Sequence, residues 1–351
     1  MKAARIVKPK ESLQVQELDI PKPKGSQVLV KVQSSGVCHS DIHLWEGGYE
    51  GPHGLFLKTT DRGVKYPLTP GHEIAGTIDS LGDQAEAFSK NDKVLVYPWI
   101  GEGLCPACRV GDENLCDKPR SLGVYADGGY AEYVLVPSYK YLVKIEGMDI
   151  DAAATLSCSA LTAYGAVKNA NLKPDDNVVI VGAGGLGLMA MQLAKAVTGA
   201  RIIAMDIGDD KLKAAKEDGG ADDVVNSKNE DPVKTIMELT EKLGADAVID
   251  FVNASKTVEA DMQFLRRRAS LVLVGLFGGE LKLNLVSMPT RAYRLIGSYT
   301  GSLNDMVELV SLAKRGVIKP VVSEKFKLNQ ATEALSKLKD GKIAGRGVIN
   351  P

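Results

Sequence analysis

The run Val178-Val179-Ile180-Val181-Gly182-Ala183-Gly184-Gly185-Leu186-Gly187 sets the reading of the second half of the chain. Four apolar residues suit a short buried strand, and glycines in the pattern Gly-x-Gly-x-x-Gly follow where a helix is expected to open. Gly182 permits a tight turn, Gly184 lets backbone approach a pyrophosphate, and Gly187 allows helix and strand to pack closely. The phosphates would rest on the helix N-terminus, where backbone N–H groups are unpaired. The pattern alone is weak; its place between a strand and a helix gives it weight.

Outward from this run, apolar strands alternate with helical stretches. Strands are expected at 178–181, 201–205, 223–225, 247–249 and 271–274, with helices at about 186–197, 211–217, 232–243 and 258–267 between them. Such alternation predicts a parallel sheet with helices on both faces. Asp206 follows the second strand, about twenty residues past the glycines, where a carboxylate would accept hydrogen bonds from the adenosine ribose. An acid there repels a 2′-phosphate, which favours NAD(H) over NADP(H). Its plainer role is to cap the next helix. Lys211 either flanks the same ribose or is a solvated helix lysine. Arg266-Arg267-Arg268 reads as the last turn of a helix, where positive charge suits the dipole, rather than as an anion site. Val178–Ala194 is uncharged, but glycines break it and it is shorter than a membrane span. Helical stretches at 304–314 and 331–338 precede a polar, glycine-rich tail.

The character differs before Asp151. Apolar and polar residues alternate over 13–15 and 28–32, then over 74–78, 93–97 and 131–136, which reads as a β-rich unit. The segment 46–70 has no clear period and is long for a connection. It carries Lys58, Arg62 and Lys65, read mainly as a solvated loop beside Asp61. A length of 351 residues suggests two domains. The net charge of −1 favours neither nucleic acid nor an anionic membrane as partner. The N-terminal stretch lacks the apolar region of a secretory signal.

Five Cys (38, 105, 108, 116, 158) and four His (39, 43, 53, 72) lie in the first half. An odd count with closely spaced pairs reads as metal ligation in a reducing compartment, so a cytoplasmic location is expected. Glu102-x-x-Cys105-x-x-Cys108-x7-Cys116 offers four ligand-type side chains and no open position, which describes a structural zinc site. Glu102 is the weakest member, since water or nothing could take its place. Cys38 and Cys158 remain, and His72 stands at a strand start after a Pro-Gly turn. Two Cys, one His and an open position make a catalytic zinc, but these residues are far apart in sequence and spacing cannot bring them together. The stretch Cys38-His39-Ser40-Asp41-Ile42-His43, read as a polar loop, is dense in groups that bind metals and move protons.

Cys38-His39-Ser40-Asp41-x-His43, Gly71-His72-Glu73-x-x-Gly76-x5-Gly82, the Cys lobe, Cys158 and the Gly182 run occur in the order and approximate spacing of the zinc-dependent medium-chain alcohol dehydrogenases. The resemblance spans essentially the whole chain and is nearest to the archaeal-type tetrameric branch, where Glu stands for the first lobe Cys. It implies an α/β fold: a GroES-like β-rich catalytic domain (1–154 and 295–351, with the lobe at about 101–117) and a Rossmann domain (155–294). It implies two zinc ions per chain, one on Cys38, His72 and Cys158 and one on Glu102, Cys105, Cys108 and Cys116. Glu73 resembles an acid beside the metal that can exchange onto it, and Asp41 one that orients His72. Ser40 looks like the hydroxyl that takes the alcohol proton and passes it, by way of the cofactor ribose, to His43. His39 and Arg346 match pyrophosphate contacts, Thr162 and Leu186 match positions beside the nicotinamide, and Trp99 a wall of the substrate pocket.

The expected function is therefore reversible hydride transfer between a small alcohol and NAD, the reverse reaction reducing an aldehyde or ketone. One rival keeps the scaffold but takes an acidic substrate such as succinic semialdehyde, using Lys58, Arg62 and Lys65. Another is a zinc-free protein that binds nucleotide without chemistry. The segment 271–289 is expected to end the Rossmann sheet with an apolar edge, and in the family this region pairs subunits, which implies a homotetramer.

Overall fold

The computed structural model describes residues 1–351 and divides into two compact units. Unit one comprises Met1–Gly48, Lys58–Leu161 and Gly301–Pro351; unit two comprises Tyr49–Leu57 and Thr162–Thr300. These boundaries fall a few residues beyond the expected 154/155 and 294/295. Cys158, assigned by those limits to the Rossmann domain, belongs to unit one, because its thiol packs on Cys38. The segment expected to be structureless forms the short strands Gly48–Glu50 and Phe56–Lys58 and two 3-10 turns. Within unit two its Glu50 bridges Gly278, and His53 lies 3.3 Å from Glu280.

Unit one is built on a seven-stranded sheet. Its spine is Val28–Val37, paired antiparallel with Glu73–Leu81 on one side and Arg346–Asn350 on the other. Val322–Lys327 runs parallel to Arg346–Asn350, while Lys93–Val96, Leu142–Lys144 and Tyr133–Val136 complete the sheet. Val37, Ile42, Tyr130, Phe326, Leu335 and Ile349 share one core on this sheet. Residues more than 300 positions apart in sequence therefore stabilise the same layer, by roughly 2 kcal/mol for each fully buried large side chain.

Unit two holds a six-stranded parallel sheet in the order Asp223–Asn226, Arg201–Asp206, Asn177–Val181, Ala245–Asp250, Leu265–Leu273, Arg294–Gly297. The central strands are buried on both faces, which is why they read as unbroken apolar runs. Gly185–Thr198, Asp209–Glu217 and Pro232–Leu239 are helices, near the expected spans. The next helix is only Ser255–Asp261, and the strand begins at Leu265. Arg266–Arg268 are thus strand residues, not a helix end. Arg266 and Arg268 line a surface cavity of about 420 Å³ with Lys173, Asp176, Asp246 and Arg294. The sheet edge is Arg294–Gly297, later in the chain than the expected 271–289. No helix is long and apolar enough to cross a membrane.

Candidate active site and metal lobe

The Cys38 stretch is not a loop. Cys38 ends the central strand in extended conformation and caps the helix His39–Glu46, which closes at Gly47 in the left-handed region. Ser40 and His43 are one turn apart on this helix and so share a face. Asp41 points inward and is fully buried. One of its oxygens accepts from the Cys38 N–H (3.0 Å) and the Tyr130 hydroxyl (3.1 Å); the other accepts from the Gly71 N–H (3.1 Å) and lies 3.3 Å from His72 Nδ1. That last approach is not aligned as a full hydrogen bond, and His72 Nε2 has no hydrogen-bond partner.

Cys38, His72, Glu73 and Cys158 form one buried group whose ligand atoms lie within 4.8 Å of one another. Their elements bring them there: Cys38 at the end of Val28–Val37, His72 and Glu73 at the start of the neighbouring strand, and Cys158 just before the helix Ser159–Ala170. The two thiols are 3.9 Å apart, far too long for a disulfide. Two thiolates about 2.3 Å from one tetrahedral zinc would be roughly 3.8 Å apart. The Cys158 thiol hydrogen-bonds to Cys38 and holds it well below the usual thiol range, against the effect of burial. With a partnerless imidazole nitrogen and a partnerless Glu73 Oε2 in the same dry space, the donor set fits a zinc ion.

Glu73 also meets Arg346. One carboxylate oxygen accepts from the Ser159 N–H (3.2 Å) and from Arg346 Nη2. Burial pushes the Glu73 carboxyl up to about 7, against the pull of Arg346. The resemblance implies a pyrophosphate contact for Arg346. Here its guanidinium is buried in unit one and committed to Glu73, as a buried carboxylate requires a counter-charge. Gly36 makes room for this arrangement: a Cβ there would lie 1.8 Å from Glu73 Oε2. Neither the Arg346–Glu73 pair nor the Tyr130–Asp41 contact is visible in the sequence; glycines such as Gly36 and Gly71 are the available signs of a close approach. Trp99 stands beside the group, its ring 5.2 Å from that of His72 and its Nε1 donating to Ser157 O (3.0 Å).

In the lobe, Cys105, Cys108 and Cys116 converge, with sulfurs 3.4 Å (105–108) and 3.8 Å (105–116) apart. The separations suit three thiolates on one zinc. The Glu102 carboxylate is not in this group. Its backbone N–H donates to Cys116 Sγ, and Gly103 after it takes a left-handed turn. Glu113, not singled out from sequence, ties the lobe down by accepting from Gly101 N–H, Tyr141 Oη and Lys140 Nζ.

In unit two, Gly182 has φ of +90° and Gly187 lies against the Gly182 carbonyl, where a Cβ would approach to 1.9 Å. A Cβ on Gly184 would meet open space, a cradle suited to a pyrophosphate at the start of the helix Gly185–Thr198. Leu186 is half-buried in the first turn of that helix. Asp206 is turned toward the glycine run, accepting from the Ala183 N–H (2.8 Å) as well as from Ile207 and Gly208. Lys211 lies alongside Gly208, and Thr162 is buried on the helix Ser159–Ala170. His39, Lys58, Arg62 and Lys65 are exposed.

Two family models match: the alcohol dehydrogenase GroES-like domain over residues 24–147 and the zinc-binding dehydrogenase domain over 185–315. The chain is 47% identical to an NAD-dependent alcohol dehydrogenase of Sulfurisphaera tokodaii and 45% identical to one of Saccharolobus solfataricus, covering 100% of both chains in each case. The crystal structure of the alcohol dehydrogenase from Aeropyrum pernix superposes with a TM-score of 0.91 at 35% identity, over 100% of each chain.

Proposed function

The chain belongs to the zinc-binding medium-chain alcohol dehydrogenases, and from that premise we propose how its residues divide the work of NAD-linked alcohol oxidation. The buried Cys38–His72–Cys158 group carries the reading, because its donors, spacing and unsatisfied nitrogen match one zinc with an open position. When bound, zinc supplies the Lewis acidity that eases loss of the alcohol proton, and NAD supplies the hydride acceptor.

The chain's own groups do the rest. Asp41 orients the His72 ring. The Ser40 hydroxyl accepts the alcohol proton while passing its own outward, and His43, one turn along, receives it. Burial lowers the His43 pKa below 6.5, so the imidazole is neutral and able to accept at neutral pH. Glu73 is paired with Arg346 through one oxygen, and its unpartnered Oε2 would be the group able to exchange onto the metal. Gly182, Gly184 and Gly187 receive the pyrophosphate and Asp206 the ribose, with Lys211, Leu186, Thr162 and His39 as further contacts. Trp99 walls the substrate pocket. Glu102 would be the fourth ligand of a second zinc held in the lobe by Cys105, Cys108 and Cys116.

We place the enzyme in the cytoplasm as a homotetramer. Reduced, closely spaced thiols and an exposed apolar run (Leu276, Phe277, Leu285, Val286) near the edge strand support this. The relatives carry the name alcohol dehydrogenase, which favours small alcohols over an acidic semialdehyde. The test is metal content together with NADH formation across a series of alcohols. Two zinc ions per chain and turnover are expected, with NAD preferred to NADP; one zinc with no turnover would overturn the assignment.

A further inference from the structure

The turn that carries His72 is bolted to a second segment. Residues 128–130 donate backbone hydrogen bonds to it: Gly128 to Thr69 O (2.8 Å), Gly129 to Gly71 O (2.6 Å) and Tyr130 to Pro70 O (3.0 Å). Both glycines are needed for this approach, since a Cβ on Gly128 would come within 2.2 Å of the Gly71 carbonyl and one on Gly129 within 2.7 Å of Ile74. Gly71, at φ +90°, is likewise bare because a Cβ would lie 2.3 Å from the Tyr130 ring. Tyr130 is therefore threaded, fully buried, beneath the His72 turn. Its hydroxyl donates to Asp41 Oδ2 at 3.1 Å.

From this we infer that Tyr130 is a positioning residue for the catalytic zinc, acting on His72 through Asp41. An ionised carboxylate only accepts hydrogen bonds, and a phenol at neutral pH is a reliable donor. Asp41 receives donors from the Cys38 N–H, the Gly71 N–H and the Tyr130 hydroxyl besides its approach to His72 Nδ1. The first two are backbone groups of the elements that carry two metal ligands. The phenol is the one side-chain donor in the set, and it fixes the side of Asp41 away from His72. Without it, Oδ2 keeps only the Cys38 N–H, and the carboxylate is held less firmly against the His72 ring. The inference rests on the reading of Cys38, His72 and Cys158 as a zinc site.

The test is chelator-driven zinc release from the loaded enzyme and from Tyr130→Phe, which keeps the ring over Gly71 and removes only the hydroxyl. Release should occur in two phases, the lobe phase being identified by its loss in Cys108→Ser. Removing groups that hold a ligating His weakens metal binding by about 10–100-fold, and one step further out about tenfold faster release of the catalytic zinc is expected. The lobe phase should not change. In an Asp41→Asn background the same substitution should add less than about twofold, because the two act as one unit. Unchanged release, equal acceleration of both phases, or full acceleration in the Asp41→Asn background would overturn the assignment. A single zinc in the unaltered enzyme that is lost in Cys108→Ser would instead sink the zinc-site reading itself.

Discussion

At the level of single side chains, the active site is a set of dependencies among buried charges. Cys38→Ser should lose the catalytic zinc and turnover while keeping the lobe metal, which metal analysis per chain would read. His43→Ala should keep both metals yet lose rate, most at low buffer concentration, because buffer can then stand in for the missing base. In the unaltered enzyme the lowered His43 pKa puts the acid limb of kcat/KM below pH 6.5, and His43→Ala should abolish that limb. Gly36→Ala offers a sharper test of packing. Its Cβ would collide with Glu73 Oε2, so Glu73 must leave Arg346, at a cost of about 3 kcal/mol seen as a lower denaturant midpoint. Stability equal to that of the unaltered enzyme would show that the Glu73–Arg346 arrangement is not what the site depends on. Of this site, the residue types were readable from the sequence and the convergence was not. Cys38, His72 and Cys158 are what the lobe leaves over as a zinc set, but only the family resemblance brings them together, because long-range pairing along Val28–Val37 leaves no local signal.

Among the secondary elements, misreadings have a common cause. The helix His39–Glu46 reads as a loop in sequence because its inward face includes a charged residue, Asp41, beside Ile42 and Leu44. Polar residues buried for function erase the apolar period that marks a helix. The strand Leu265–Leu273 reads short in sequence because three exposed arginines follow Leu265, with steady burial only from Ala269. The central strands Asn177–Val181, Arg201–Asp206 and Ala245–Asp250, buried on both faces, are legible in the sequence, whereas the exposed edge strand Arg294–Gly297 is not. The short helix Ser255–Asp261 ends in another buried acid. Burial, and then the charge of Asp250, push the Asp261 carboxyl well above its usual range. Asp250 itself accepts from the Val252 and Asn253 N–H groups and from Thr257. Asp261 therefore holds its proton to a higher pH in the fold than in the unfolded chain, where an aspartate ionises near pH 4. Its contribution is complete below that pH and is lost as pH rises through the raised native value, by at most about 1.4 kcal/mol per pH unit. Asp261→Asn, which keeps a donor, should remove this component; unfolding midpoints of the two proteins compared across pH would show it. Parallel curves would mean that Asp261 is not the proton-binding group.

For the molecule as a whole, the two units have different construction. Unit two, apart from the Tyr49–Leu57 segment, is one continuous run of chain, and unit one is assembled from three pieces. The subunit count belongs at this scale too. Mass measurement by light scattering should give a tetramer, and charged substitutions at Phe277 and Val286 should shift it to smaller species; a monomer in the unaltered protein would contradict the proposal. The interrupted order of unit one also has a consequence in time. The strand Arg346–Asn350 sits inside its sheet, between Val322–Lys327 and Val28–Val37, and Arg346 follows its partner Glu73 by 273 positions. On the ribosome, where domains fold as they emerge, the nucleotide-binding unit can be finished while the metal pocket still lacks both the strand beside Val28–Val37 and the cation that neutralises Glu73. Metal loading is thereby made a late event of biosynthesis, and a nascent chain stalled before Arg346 should bind nucleotide but retain no catalytic zinc.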